Sequence, residues 1–220
     1  MLADDGFELV RGVLDPAECE ALAVRIAPGG RSSAGSRGLL AESWCRELAD
    51  RLRGSERLAA LIPGDFAAMQ CTFFEKSRGG NWLVPWHQDL SIPVAGRVEH
   101  PSLRGWSEKE GTTFVQPPDA VLAELVAVRL HLDPCGPEDG PLRVIPGSHR
   151  LGRLDPEAVP DARRSAAEVA CLAGRGDALA MRPLLLHASS RSEGAGRRRV
   201  LHFLFGPAQL PFGLRWADAA

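Results

Sequence analysis

Apolar positions along this chain follow a mixed, mainly helical period up to about residue 66 and a period of two after it. "GFELVRGVL" (6–14) alternates like a short strand. "DPAECEALAVRIA" (15–27) then reads as a helix, with Asp15 placed to cap it, Pro16 suited to its first turn and Glu18 completing a capping box. A second helical pattern runs over "LLAESWCRELADRLRG" (39–54) and stops at a glycine, and "ERLAALI" (56–62) adds a short helical turn before Pro63.

Strand-like runs follow at 67–77, 82–94, 124–134, 140–146, 177–189 and 198–206, separated by Gly, Pro, Asp and Ser clusters. Between Ala95 and Asp119 lies a long polar stretch rich in turn residues, which reads as a lid or substrate loop or else as a regular element that the pattern hides. Helices first and strands afterwards predict an α+β, mainly β domain whose β-part is a sandwich or barrel. No linker-like stretch divides the chain. The expected organisation is one domain spanning 1–220, helical over about 1–66 and with its β-core over about 67–206.

Composition narrows the function classes. The formal net charge is −2, which gives no electrostatic case for nucleic acid or an anionic membrane. Five scattered cysteines form no CxxC pair, so they suggest neither a zinc cage nor a disulfide framework. Reduced thiols, an N-terminus without a basic-then-apolar leader and no run of spanning length point to a soluble, cytoplasmic protein acting on a small molecule.

Candidate chemistry begins at "VPWHQDLSIPV" (84–94), where His87 and Asp89 stand two residues apart in an apolar run. In an extended strand they leave the same face. Two readings are open here: a hydrogen-bonded His–Asp couple at a strand end, or two ligands of a metal. His187, at the end of the apolar run "DALAMRPLLLH", offers a third donor. Two histidines and one carboxylate on one face leave coordination positions free on an iron, whereas a closed four-ligand zinc site would not. Past His187 comes "GRRRVLHFLF", where a guanidinium could pair bidentately with a carboxylate of a cosubstrate.

Three motifs in order carry a resemblance. "WHQD" (86–89), "EDGPLRVIPGSHRLGRL" (138–154) and "GDALAMRPLLLHASSRS" (176–192), with the opening "GFELVRGVLDPAE", make the chain similar to the phytanoyl-CoA dioxygenase family of Fe(II)/2-oxoglutarate-dependent oxygenases. The resemblance implies a double-stranded β-helix of the jelly-roll or cupin-like kind, flanked by N-terminal helices. It implies Fe(II), 2-oxoglutarate and dioxygen as cofactors, with His87, Asp89 and His187 as metal ligands and catalytic centre. Eleven positions after His187 it places the cosubstrate arginine at Arg198, and it points to Gln70 as a cosubstrate contact. Arg129 and His131 share one strand face, and two readings of them are open: residues lining the same pocket, or a packed, hydrogen-bonded pair. Strand parity turns Arg198, Val200, His202 and Leu204 to the interior and Leu201, Phe203 and Phe205 to the helices.

Among the remaining candidates, Trp106 in the long polar stretch is the residue placed to close over a substrate. Trp82 and Trp86 read as core, and His149 as part of a structural Pro-Gly-Ser-His turn. The sequence departs from the family pattern at Asp139, where an Asn is usual, and at Ser192; both positions suit turns. The implied reaction is hydroxylation of an unactivated C–H bond of a small organic metabolite. Two other readings remain: a cupin-like metal protein without 2-oxoglutarate chemistry, and a non-catalytic binding module on the same barrel.

Overall fold

Pairing of the strands is antiparallel throughout, and it builds three sheets. The computed structural model describes residues 1–26, 36–77, 80–194 and 196–217. The largest sheet runs β1 (Phe7–Val10), β10 (Ala178–Met181), β7 (Val126–His131), β12 (Arg198–Pro207), β2 (Phe66–Lys76). A second, β3 (Val84–His87), β11 (His187–Ser189), β8 (Leu142–Val144), β9 (Val169–Cys171), packs against it. A third, β4 (Ile92–Val94), β6 (Thr112–Gln116), β5 (Arg104–Lys109), closes one side. This is the expected double-stranded β-helix.

Among the described residues five short helices accompany the sheets: α1 (Leu2–Asp5), α2 (Pro16–Ile26), α3 (Ser43–Arg53), α4 (Asp119–Glu124) and α5 (Val159–Arg164). The capping box at α2 is formed, with the Glu18 N–H donating to Asp15 Oδ1 at 2.9 Å and the Asp15 N–H to Glu18 Oε2 at 3.4 Å. Ala27, read as the last residue of that helix, lies outside the described residues. The 39–54 helix is shorter than expected. Leu39–Ala41 form a separate 3-10 turn, and Glu42 is extended before α3 begins. Arg46 explains the break, since its guanidinium donates to the carbonyls of Leu40 and Ala41 at 2.6 and 2.8 Å.

Two apolar clusters divide the faces of the large sheet. Leu201, Phe203 and Phe205 of β12 and Val126, Val128 and Leu130 of β7 pack on Cys19, Ala23, Leu48 and Leu52 of the helices. Each such side chain removed from water contributes roughly 1.5–3 kcal/mol. The opposite face carries Arg129 and, on β12, Arg198, His202 and Leu204, which line an interior cavity as strand parity required.

Four readings are corrected. Residues 95–119 are not a loop: β5 and β6 form a hairpin there, with polar residues on both faces and Phe114 and Val115 buried. The 82–94 run breaks after His87, so Asp89 lies beyond the end of β3 rather than within a strand. The 177–189 run breaks after Met181, where the chain crosses from one sheet to the other before β11. β1, inside the stretch assigned to the helical part, is an edge strand of the largest sheet.

Candidate active site

The cavity at the centre of the barrel has a volume of about 430 Å³, and His87, Asp89 and His187 stand on its wall. His87 ends β3 and His187 begins β11, and the two are register partners in that ladder. Their rings lie 4.2 Å apart between centroids. Asp89 faces both, with Oδ1 3.7 Å from His87 Nε2 and Oδ2 3.7 Å from His187 Nε2. One donor atom from each residue lies within 4.8 Å of the others.

The Nδ1 atoms orient the imidazoles. His87 Nδ1 is 2.8 Å from the carbonyl of Pro85, and His187 Nδ1 is 2.8 Å from that of Leu185. A carbonyl only accepts, so each Nδ1 carries the proton and each Nε2 lone pair is turned toward Asp89. Burial pushes the His187 pKa down to about 4, which keeps that ring neutral at physiological pH. Burial works to raise the Asp89 pKa, but the facing His187, His202, His87 and Arg129 bring it below the ordinary value. Two imidazoles with their Nε2 atoms turned to one point and an ionised carboxylate are the donor set that suits a ferrous ion with open positions.

Residues around these three hold them in place. Gln88 is buried, and its amide N–H groups donate to the carbonyls of Leu184 (2.6 Å) and Gly152 (2.8 Å) while its oxygen accepts from the Leu154 N–H. The Asp89 N–H donates to the Pro183 carbonyl at 2.9 Å. Together these bonds tie the His-x-Asp segment to the chain just before His187. The Pro-Gly-Ser-His turn contributes as well. Ser148 Oγ accepts the Leu186 N–H at 2.9 Å and donates to the Ile145 carbonyl at 2.7 Å. His149 Nε2, in contrast, donates to the Ala3 carbonyl at 3.2 Å and clasps the N-terminal segment.

One end of the cavity is cationic. β2 turns Gln70, Thr72, Phe74 and Lys76 inward, and β12 places Arg198 directly opposite Lys76. Arg198 donates to the Gly140 carbonyl while its buried Nε has no partner. Gly140 must be glycine: its φ is 62°, and a Cβ there would lie 2.5 Å from the Ser190 carbonyl oxygen. Arg129 Nη1 is 3.1 Å from His202 Nδ1, and its Nε is also unpartnered. Gln70 Nε2 donates to Thr72 Oγ1 at 2.8 Å. Lys76, Arg129 and Arg198 are all buried, and none forms an ion pair among the described residues. Buried unpaired charge is costly, so the group that belongs here is an anion.

The other arginines of the run are occupied elsewhere. Arg197 pairs with Glu75, and Arg199 clamps Asp133 through Nε (2.7 Å) and Nη2 (2.8 Å). Trp106 is on β5, packed against the apolar interior with Arg97 over its ring, and it does not line the cavity. Trp82 does line it, whereas Trp86 packs outside between Arg143 and Arg163. Asp139 and Ser192 serve turns, through bonds to the Gly136 N–H and the Glu138 carbonyl. Sequence reasoning missed Lys76, Gln88 and Ser148. Lys76 was detectable, because it shares strand parity with Gln70 in an otherwise apolar run.

The chain is similar to known proteins in sequence and in fold. L-proline trans-4-hydroxylase from Streptomyces griseoviridis is 30% identical over 149 residues, which cover 56% of this chain and 47% of that enzyme. The chain thus spans about half the length of this curated relative. HygX from Streptomyces hygroscopicus, solved with nickel and 2-oxoglutarate bound, superposes with a TM-score of 0.60 at 20% identity, covering 94% of this chain and 84% of that one. EctD from S. alaskensis gives 0.66 at 18% identity, covering 97% and 79%. Residues 2–200 match the profile of the family Phytanoyl-CoA dioxygenase (PhyH). With that match over nearly its whole length, the chain belongs to the phytanoyl-CoA dioxygenase family.

Proposed function

We propose that this protein is a non-haem Fe(II)- and 2-oxoglutarate-dependent dioxygenase that hydroxylates an unactivated C–H bond of a small organic metabolite, with release of succinate and CO2. The observation that carries this reading is the facing of two sites in one cavity: the His87–Asp89–His187 donor set and the unpaired cations Lys76, Arg129 and Arg198. A metal protein without an anionic cosubstrate has no use for the second. The relative from Streptomyces griseoviridis, a hydroxylase of L-proline, supports a small-molecule substrate and a hydroxylated product.

His87, Asp89 and His187 would hold the ferrous ion, and Arg198 would pair with the distal carboxylate of 2-oxoglutarate. When bound, the iron and 2-oxoglutarate supply the oxidant and set the stoichiometry of succinate and CO2. The chain's own part is positional. The Nδ1–carbonyl bonds fix the imidazoles, Gln88 fixes the segment between the first two ligands, and Arg129 and Gln70 stand beside the cosubstrate end. Leu122, Leu125, Phe114 and Leu204 make part of the wall apolar, which limits water beside the reacting C–H bond.

Anaerobic addition of Fe(II) and then 2-oxoglutarate tests this directly. The expected result is the weak visible charge-transfer band of a chelated ferrous complex, absent in His187→Ala. Lack of a band in protein shown to retain iron rules the reading out. Succinate release across a metabolite library then identifies the substrate.

A further inference from the structure

The hairpin that closes the third side of the barrel carries a cation of its own. Lys109 is the last residue of β5, it lines the cavity, and its Nζ lies 4.7 Å from the ring centroid of Phe114, which lines the cavity too. Lys109 has no hydrogen-bond or ion-pair partner among the described residues. Burial, then the neighbouring Arg37, lowers its pKa, and the Asp89 carboxylate across the cavity works in the opposite direction.

Arg37 is the nearby contrast. It lines the cavity, but its charge is already met by Glu110, whose carboxylate accepts both the Arg37 backbone N–H and its guanidinium at 2.9 Å. Glu110 is held at φ 52° in the β5–β6 turn, a conformation that L-residues seldom adopt. The clamp therefore fixes the hairpin tip against the 36–38 segment and holds Lys109 at the cavity wall.

Charge balance asks for more than the cosubstrate. The two positive charges of a ferrous ion and the two negative charges of 2-oxoglutarate cancel. With Arg37 satisfied by Glu110, the described wall then still carries Lys76, Arg129, Arg198 and Lys109 against one carboxylate, Asp89. The cosubstrate has the first three within one region of the wall. Lys109 is left for the other ligand. A single ammonium matches a monocarboxylate charge for charge, and Phe114 beside it, with Ile92 and Leu122 on the same cavity wall, suits an apolar frame.

We propose that Lys109 receives the carboxylate of the substrate, so that the substrate is a small organic acid whose mainly apolar frame lies along Phe114. The inference rests on the iron- and 2-oxoglutarate-dependent reading of the same cavity.

The test titrates the anaerobic Fe(II)–2-oxoglutarate protein calorimetrically with free amino acids and short aliphatic monocarboxylic acids, each beside its own carboxamide. At least one acid is expected to bind, with its amide at least about tenfold weaker. Lys109→Gln should weaken that acid by about tenfold to a hundredfold, the scale of a lost charge-assisted hydrogen bond, and Lys109→Arg should restore most of it. The affinity for 2-oxoglutarate, measured first in the same cell, should be the same in all three proteins. Equal binding of acids and amides, binding of no acid, or indifference to Lys109→Gln would overturn the assignment. So would a loss of 2-oxoglutarate affinity in Lys109→Gln, which would put the lysine at the cosubstrate end. Failure of the unmodified protein to bind 2-oxoglutarate at all has a different signature, and brings down the parent reading together with this one.

Discussion

Lys76 and Arg198 face each other as direct register partners on β2 and β12, two buried cations with no carboxylate between them. Lys76 Nζ donates to Ser189 Oγ at 2.9 Å and to the Ser190 carbonyl, while Arg198 donates to the Gly140 carbonyl. Like charges directly opposite on a sheet are destabilising. The pair is explained by an anion that both would address.

Removal of the Arg198 guanidinium should therefore weaken 2-oxoglutarate binding by about 2–5 kcal/mol, the cost of truncating one partner of a buried charge pair. In affinity this is roughly 30-fold to several thousandfold. Arg197→Ala and Arg199→Ala provide the control, since those side chains are engaged with Glu75 and Asp133. Arg199→Ala should instead lower unfolding stability by about 1–3 kcal/mol, because Asp133 is left buried without its clamp. Titration calorimetry and denaturant unfolding separate the two effects. A large loss of 2-oxoglutarate affinity at Arg197 or Arg199 would show that the strand parity assigned to β12 is off by one.

Lys76 gives a pH dependence. Burial, then the Arg198 and Arg129 charges, push its pKa down from 10.5 to about 7, with Arg143 adding to the effect and the Cys135 thiol opposing it. Between those two values the folded chain has shed a proton that the unfolded chain keeps. Unfolding then takes up protons, so stability rises with pH across this window and the penalty for charging Lys76 is fully present below about pH 7. The metal-free, ligand-free protein should gain thermal stability as pH increases above 7, and Lys76→Met should flatten that slope. A dianion beside Lys76 restores its proton, so 2-oxoglutarate binding near pH 8 should be accompanied by proton uptake. Calorimetry in buffers of different ionisation enthalpy measures it, and uptake that persists unchanged in Lys76→Met would contradict the assignment.

The Pro-Gly-Ser-His turn divides its labour between neighbours. Ser148 holds the residue before His187, whereas His149 holds the N-terminal segment. Ser148→Ala should weaken ferrous ion binding by about tenfold or more, as loss of a group supporting a metal ligand does. His149→Ala should leave iron affinity intact and loosen residues near Ala3, seen as faster amide exchange. Equal iron affinity in Ser148→Ala and the unmodified protein would remove the serine from the ligand scaffold.

How much of this was legible beforehand depended on which side chains the period of two could sort. On β12 the alternation separated Leu201, Phe203 and Phe205 from Arg198, His202 and Leu204 without ambiguity, because one face meets helices and the other a polar cavity. The cluster of His87, Asp89 and His187 was legible because such residues are unusual in an apolar run. The hairpin 104–116 was not. It covers the cavity with one face only, Gly105 and the Glu110–Gly111 turn interrupt its pattern, and Phe114 and Val115 are its only fully buried side chains. Trp106 was misplaced for the same reason: without the hairpin, nothing showed which way it turned. Gln88 was hidden between two ligands, since its work lies in bonds to Leu184 and Gly152, 96 and 64 residues away.

In the proposed iron site, Asp89 would decide what kind of product leaves. It lies past the end of β3, held by its N–H on the Pro183 carbonyl, and its two oxygens reach toward the two imidazoles at equal distance. A halide can join a metal in such a site only where a protein position beside the substrate is vacant, as it would be with Gly or Ala here. With Asp89 as a ligand, as proposed, the carboxylate would fill that position and would also offset part of the metal's charge. Oxygenated product alone is expected, even in high chloride. Asp89→Ala should bind iron poorly and lose most hydroxylation, with the fold retained because the barrel is held by its apolar faces. Mass spectrometry of the product made by the unmodified enzyme in chloride is the check, and a chlorinated product would exclude Asp89 as a ligand.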